Sequence, residues 1–199
     1  MTRFELFREE VLRSMQNHSV QYKLFGGGAV TLMLNHRETT DLDMALKNDR
    51  ENKERFIDAL VACGFGDKEY IDAHMRLLEE EESLENRVVQ VKPLKSEWAN
   101  YHIDLAIQMG KYTYETLGDA ATVEKNGIIF NLVPLRKIGK MKAEIHDPDT
   151  HAYTVTGREQ DFKDMDAIMK YLESNPDIDG DISLKKEVFT KSSVFSKKN

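Results

Sequence analysis

The chain is poor in cysteine, in long apolar runs and in net positive charge, and each shortage excludes something. One cysteine in 199 residues cannot close a disulfide within the chain, which excludes a disulfide-stapled scaffold and fits a reducing cytoplasm. Cys63 sits in Ala59-Leu60-Val61-Ala62-Cys63 and reads as a small buried hydrophobe. No stretch approaches the roughly 18 consecutive apolar residues of a membrane span, so a membrane partner is not expected. Met1-Thr2-Arg3-Phe4-Glu5 becomes charged at once, unlike a secretory signal. Acidic residues outnumber basic ones, 35 to 28, for a formal net charge of −7. That balance argues against broad, nonspecific nucleic-acid binding, though a local basic patch remains compatible with it. Internal repeats and low-complexity segments are absent too. What the chain does have is 40% hydrophobic and 32% charged residues, enough for a true core in one domain with a small appendage. The expected division is residues 1–174, with 175–199 as an acidic turn and a Lys/Ser-rich tail.

The stretch with the most chemistry runs from Val20 to Leu46. Val20-Gln21-Tyr22-Lys23-Leu24-Phe25 is β-branched and aromatic enough for a strand, which Gly26-Gly27-Gly28 end. Ala29 to Leu34 reads as a short helix. Thr40-Asp41-Leu42-Asp43-Met44-Ala45-Leu46 reads as a second strand. Alternation puts Asp41 and Asp43 on one face and Leu42 and Met44 on the other, toward a core. Two adjacent carboxylates repel unless a cation lies between them, and oxygen ligands suit magnesium. Glycines ahead of a helix let backbone N–H groups approach phosphate, aided by the helix N-terminus. The pattern therefore predicts a phosphate-and-metal site.

Gly27-Gly28 followed by Arg37-x-Thr39-x-Asp41-hydrophobic-Asp43 resembles the nucleotidyltransferase fold of the DNA polymerase beta superfamily. Within it the pattern is most similar to AbiEii-type nucleotidyltransferases, the toxin halves of some bacterial toxin–antitoxin pairs. The resemblance spans roughly residues 18 to 172. It implies an α/β (α+β) fold: a mixed sheet flanked by helices, with a short helical C-terminal extension. It also implies a third aspartate on a neighbouring strand. In Tyr101-His102-Ile103-Asp104-Leu105-Ala106-Ile107, Asp104 is the one acid in an apolar run and takes that place; the alternative is an Asp paired with a nearby Lys or Arg.

Elsewhere, Phe4, Phe7, Val11 and Met15 stripe a helix over 3–17, with Thr2 and Glu5 spaced as a capping box. Asn48 or Asp49 caps a helix carrying Phe56, Ile57, Leu60 and Val61 that Gly64 stops. Residues 66–86 contain only a short apolar piece around Met75, Leu77 and Leu78, then an acidic run. Arg87 to Val91 reads as a strand, and Tyr112 to Leu117 starts a helix. Asn126-Gly127 between apolar runs predicts a hairpin. Pro134 opens a further helix. There, Lys140-Met141-Lys142-Ala143 matches the family's Lys-hydrophobic-x-Ala pattern, which makes Lys140 the candidate triphosphate contact and Lys142 the reserve; a basic solvated face is the alternative. His146 to His151 reads as a turn-rich loop. The last clear helix opens on 157–164 and resembles the family's Arg-x-Lys-Asp-x-x-Asp ending, with Arg158, Asp161 and Asp164 matching and Gln160 standing where lysine is usual. That departure points to a structural clamp in which Asp161 or Asp164 pairs with a base. Residues 175–187 are spaced partly like a calcium loop, but Lys186 occupies the position that needs a bidentate carboxylate, so they read as an acidic turn.

The activity the resemblance implies is transfer of a nucleoside monophosphate from a nucleoside triphosphate (ATP or GTP, for example) to an acceptor hydroxyl. Asp41, Asp43 and Asp104 would bind magnesium, with manganese as the alternative. Gly27, Gly28, Arg37, Thr39 and Lys140 would serve the nucleotide, Arg37 either touching phosphate or bracing the Asp loop. The acceptor is open: RNA, a protein, or a small molecule such as an antibiotic. A toxin would bring a cognate antitoxin as partner. An inactive nucleotide-binding or interaction module is the rival of a different class.

Overall fold

A computed structural model describes residues 2–80, 86–145 and 159–175. In chain order the elements are α1 (Arg3–Asn17), β1 (Tyr22–Leu24), α2 (Gly26–Leu34), β2 (Asp41–Leu46), α3 (Arg50–Ala62), α4 (Lys68–Glu80), β3 (Asn86–Val91), β4 (His102–Met109), β5 (Tyr112–Thr113), β6 (Ala121–Lys125), β7 (Ile128–Leu132), α5 (Leu135–Ile145) and α6 (Glu159–Ser174). The turn at 146–151, the calcium-like spacing after Asn175 and the C-terminal tail lie outside the described residues.

The strands form one mixed sheet in the order β3-β4-β2-β1-β7-β6, with β5 on β4. β2 pairs parallel to β4, and β1 parallel to β7; the β1–β2, β3–β4 and β6–β7 pairs are antiparallel. A parallel pair needs a long crossover, and α3 and α4 supply it between β2 and β4. The chain divides into two compact units, Met1–Ala29 with Thr39–Val133, and Val30–Glu38 with Pro134–Asn199. The first holds the whole sheet with α1, α3 and α4. Its core contains Phe7, Leu12, Met15, Leu42, Met44, Phe56, Phe65 and Phe130, all fully buried. In the second, α5 and α6 pack through Ala143 and Met165, with Phe162 and Met169 at the margin. Among the described residues no helix is long and apolar enough to cross a membrane.

Local chemistry sets most boundaries. Thr2 and Glu5 form the full capping box on α1, and Asp49 caps α3 by accepting from the Asn52 N–H. Asn126 and Gly127 both take positive φ, 57° and 69°, the turn that matches the twist of β6 and β7. Three segments depart from the sequence reading. The glycines do not precede α2; they are its first turn. Residues 68–80 are a full helix, α4, because Ile71, Met75 and Leu78 recur at helical spacing and are buried while Leu77 faces solvent. Tyr112 to Leu117 is not helical: Tyr112 and Thr113 pair with β4, and the Thr116 hydroxyl accepts from the Thr113 N–H (2.7 Å) and donates to the Lys111 carbonyl (3.1 Å). Side-chain bonds of this kind compete with helix formation.

Asn52, fully buried at the start of α3, fastens the chain around β1 and β2. Its Oδ1 accepts from the Gln21 N–H (2.6 Å), and its Nδ2 donates to the carbonyls of Gln21 (2.9 Å) and Lys47 (3.0 Å). Asn52→Ala takes the partner from the Gln21 N–H and one of two donors from each of the Gln21 and Lys47 carbonyls, which still accept from the Lys47 and Asp49 N–H groups, and is expected to cost about 2 kcal/mol in urea denaturation, more than a surface substitution by several-fold. A loss under about 1 kcal/mol would mean that water replaces all three bonds.

Candidate active site

Strand geometry builds an acid-lined face. In β2, Leu42 and Met44 are buried while Asp41 and Asp43 are half-buried on the other side. The register of β2 with β4 pairs Asp41 with His102 and Asp43 with Asp104. Residues opposite each other in adjacent strands project to the same face. Asp41, Asp43, His102 and Asp104 therefore share it, and ligand atoms of Asp41, His102 and Asp104 all lie within 4.8 Å of one another. The Thr39 hydroxyl donates to Asp41 Oδ1. Gln90, opposite Asp104 on β3, donates through Nε2 to Asp104 Oδ1 (3.3 Å), and His102 Nε2 stands 3.5 Å from the same oxygen. Carboxylates gathered this closely repel, and an oxygen-rich donor set suits a hard divalent cation.

The glycine turn is fitted to these acids. Gly26 has φ +60°, and a Cβ built on it would stand 2.0 Å from Asp43 Oδ2. The Asp43 carboxylate lies over the bare Cα. Gly28 serves packing: a Cβ there would stand 3.0 Å from the Asp41 carbonyl oxygen, so α2 approaches β2 at backbone distance. Gly27 is buried in the same turn. The Ala29 N–H bonds to the Phe25 carbonyl (3.2 Å), which leaves the N–H groups of Gly26, Gly27 and Gly28 ahead of the first intrahelical bond. Gly26→Ala is expected to cost about 1–2 kcal/mol from backbone conformation alone and to displace Asp43, weakening Mn2+ binding about tenfold or more. Gly110, with φ +54° and open space around it, is the control. Gly110→Ala incurs the backbone cost and leaves Mn2+ titrations unchanged; equal metal affinity in both variants would show that Gly26 does not seat Asp43.

The second unit carries an ionic cluster. Asp164 on α6 is fully buried; its Oδ1 accepts from Arg37 Nε (2.7 Å), its Oδ2 from Arg37 Nη2 (3.1 Å), and Lys142 Nζ stands 2.9 Å from Oδ2. His36 Nε2 lies 2.6 Å from Oδ1, and Lys142 also pairs with Asp161. Burial pushes the Asp164 carboxyl up, but the bonds from Arg37, Lys142 and His36 outweigh it and hold the group at about 2. Burial pulls the Lys142 amine down, and the Asp161 and Asp164 carboxylates more than reverse that. Arg37 makes these contacts to Asp164 on α6. Lys142 rather than Gln160 supplies the base facing Asp161 and Asp164, while Lys140 is exposed on α5.

The predicted site residues thus fall into two groups. Asp41, Asp43, Asp104, Thr39, Gly27 and Gly28 belong to the first unit, and Arg37 and Lys140 to the second. His102, Gln90 and the seat at Gly26 escaped the sequence reading. His102 had a signal, since a residue two before Asp104 in a strand shares its face.

This mixed sheet flanked by helices is a nucleotidyltransferase-like fold. No family model matches the sequence, and no curated protein matches it. Among solved structures the chain is similar to the antibiotic-resistance factor ANT(2'')-Ia, with a TM-score of 0.52 and 11% identity over 96% of this chain and 90% of that one. An antigenic nucleotidyltransferase-like protein from Paracoccidioides brasiliensis matches with a TM-score of 0.48 and 15% identity, over 93% and 83%. At 11% identity the likeness to ANT(2'')-Ia is one of fold.

Proposed function

We propose that the chain is a metal-dependent nucleotidyltransferase that moves a nucleoside monophosphate from a nucleoside triphosphate to an acceptor hydroxyl. The observation that carries this reading is the in-register β2–β4 pairing, which sets Asp43 beside Asp104 and Asp41 beside His102 on one sheet face. The carboxylates of Asp41 and Asp104, whose ligand atoms lie within 4.8 Å of each other, fit a divalent ion, magnesium or manganese, and Asp43, on the same face and seated on Gly26, would be the third carboxylate to hold it. When bound, the metal neutralises triphosphate charge and makes an acceptor hydroxyl easier to deprotonate. The chain's own residues bind and orient. Thr39 fixes the rotamer of Asp41, and Gln90 that of Asp104. The N–H groups of Gly27 and Gly28 meet the phosphates at the start of α2. Arg37 acts through its brace on Asp164. The acceptor oxygen attacks the α-phosphorus, the bond to the bridging oxygen breaks, and pyrophosphate leaves; positioning and charge neutralisation supply most of the rate.

Calorimetry with ATP, GTP, CTP and UTP in the presence of Mg2+ tests the reading. At least one binds, and its binding is lost in EDTA. A folded protein that binds none of the four is not a nucleotidyltransferase.

For the acceptor, the Arg37-x-Thr39-x-Asp41-x-Asp43 form favours the toxin-like branch, with RNA or a protein as acceptor and a cognate antitoxin encoded next to this gene. The antibiotic-resistance role of ANT(2'')-Ia makes a small-molecule antibiotic the second acceptor class to assay. Transfer of label from an α-labelled triphosphate to tRNA, to protein or to an aminoglycoside separates the three. Nucleotide binding with no transfer to any of them would identify an inactive binding module.

A further inference from the structure

We propose that His102 is itself a ligand of the metal on this acidic face, and that its imidazole makes the site prefer borderline transition ions, Zn2+ and Co2+ above Mn2+, over Mg2+. The proposal rests on the nucleotidyltransferase reading of the site and deepens it by naming a ligand and the class of ion that ligand selects.

The placement is a consequence of register. His102 is the β4 partner of Asp41 and lies two residues before Asp104, so its ring stands on the face that carries the aspartates. Its side chain is 19% exposed and that of Asp104 27%, so both are partly shielded yet open to an entering ion. The separations also match two ligands of one ion. His102 Nε2 to Asp104 Oδ1 is 3.5 Å, longer than an ordinary N–H···O hydrogen bond. Two ligands at about 2.1 Å from one ion stand about 3.0 Å apart when adjacent and about 4.2 Å apart when opposite, which brackets that separation. The third member fits with small side-chain adjustment, because ligand atoms of Asp41, His102 and Asp104 are mutually within 4.8 Å. Thr39 donates to Asp41 and the exposed Gln90 to Asp104, so each carboxylate has a polar neighbour on this face. Selectivity follows from donor type. Magnesium demands oxygen ligands and retains its waters, whereas imidazole nitrogen raises affinity along the series from Mn2+ to Zn2+.

The test uses the full chain with Mn2+ and Zn2+ as probes, alongside His102→Gln. Electron spin-echo measurements on bound Mn2+ are expected to show nitrogen-14 modulation from one imidazole, absent in His102→Gln. Titration calorimetry is expected to show Zn2+ affinity falling at least tenfold in the variant with Mg2+ affinity changed less than threefold, at an unchanged Tm. Bound Mn2+ without nitrogen modulation, or equal losses for Zn2+ and Mg2+, overturns the assignment of His102 and leaves the carboxylate site standing. No binding of Mn2+ to the wild-type chain overturns both.

Discussion

Asp104→Asn is expected to leave the protein folded and to reduce nucleotide transfer about a thousandfold or more. The loss is of that order because a charge facing the triphosphate site disappears while the shape stays. Asparagine keeps an oxygen at the position that accepts from Gln90, so the strand neighbourhood is preserved. What vanishes is the negative charge beside Asp43, in register across β2 and β4, and beside Asp41. Removing one of several repelling carboxylates also relieves the metal-free protein, whose Tm should rise by a few degrees, on the order of 1 kcal/mol. The two readouts move in opposite directions, which separates a functional acid from a structural one. Activity within tenfold of wild type, measured as pyrophosphate release, would remove Asp104 from the mechanism. A large drop in Tm would instead make it a structural residue.

Asp164→Ala is the substitution with the largest expected effect on stability, about 3 kcal/mol, because it removes the buried carboxylate that Arg37, Lys142 and His36 share, while Lys142 keeps Asp161. Here the partners left behind are the Arg37 guanidinium, which makes two bonds to Asp164, and the Lys142 amine. Asp164→Asn retains an acceptor and should cost less. Hydrogen exchange across α5 and α6 reports the loss where it arises; protection unchanged there would mean that the cluster does not hold the second unit together. The same carboxyl sets a pH dependence. Its folded value, about 2, lies below the ordinary 3.8. A depressed acid stabilises above its unfolded value, so the contribution is complete above about pH 5 and is lost as pH falls through 4 toward 2. Acid unfolding of the wild type should therefore be steep in that window, and shallower in Asp164→Asn.

Short-range order was legible along the chain because its causes are short-range. The alternation Asp41-Leu42-Asp43-Met44 can be satisfied by one strand with acids on one side and core on the other, and β2 is that strand. The spacing of Thr2 and Glu5, the stripe from Phe4 to Met15 and the Asn126-Gly127 turn each work within a few residues. Segments with two competing local signals misled. The acidic run after Leu78 obscured the periodicity of α4, and Thr113 with Thr116 turned an apparent helix start into a strand and turn. The glycines suggested an open loop, yet they form the first turn of α2, because the Gly26 conformation and its contact with Asp43 are set by a strand that lies beyond the helix.

The sequence by itself determined that two acids share a strand face, that a third stands alone in another strand and that one cysteine stays buried, since each depends on period, polarity or composition. Which residues meet was decided by tertiary structure. The pairing of Asp43 with Asp104 and Asp41 with His102 depends on the register of β2 against β4, and a slip by one residue would turn every side chain to the opposite face. That register is held by burying Leu42 and Met44 on one strand with Ile103 and Leu105 on the other. The bond between Arg37 and Asp164 spans 127 residues and exists only because α6 returns to the loop after α2; no local pattern carries a contact between groups that far apart in the chain, where only packing brings them within a hydrogen bond.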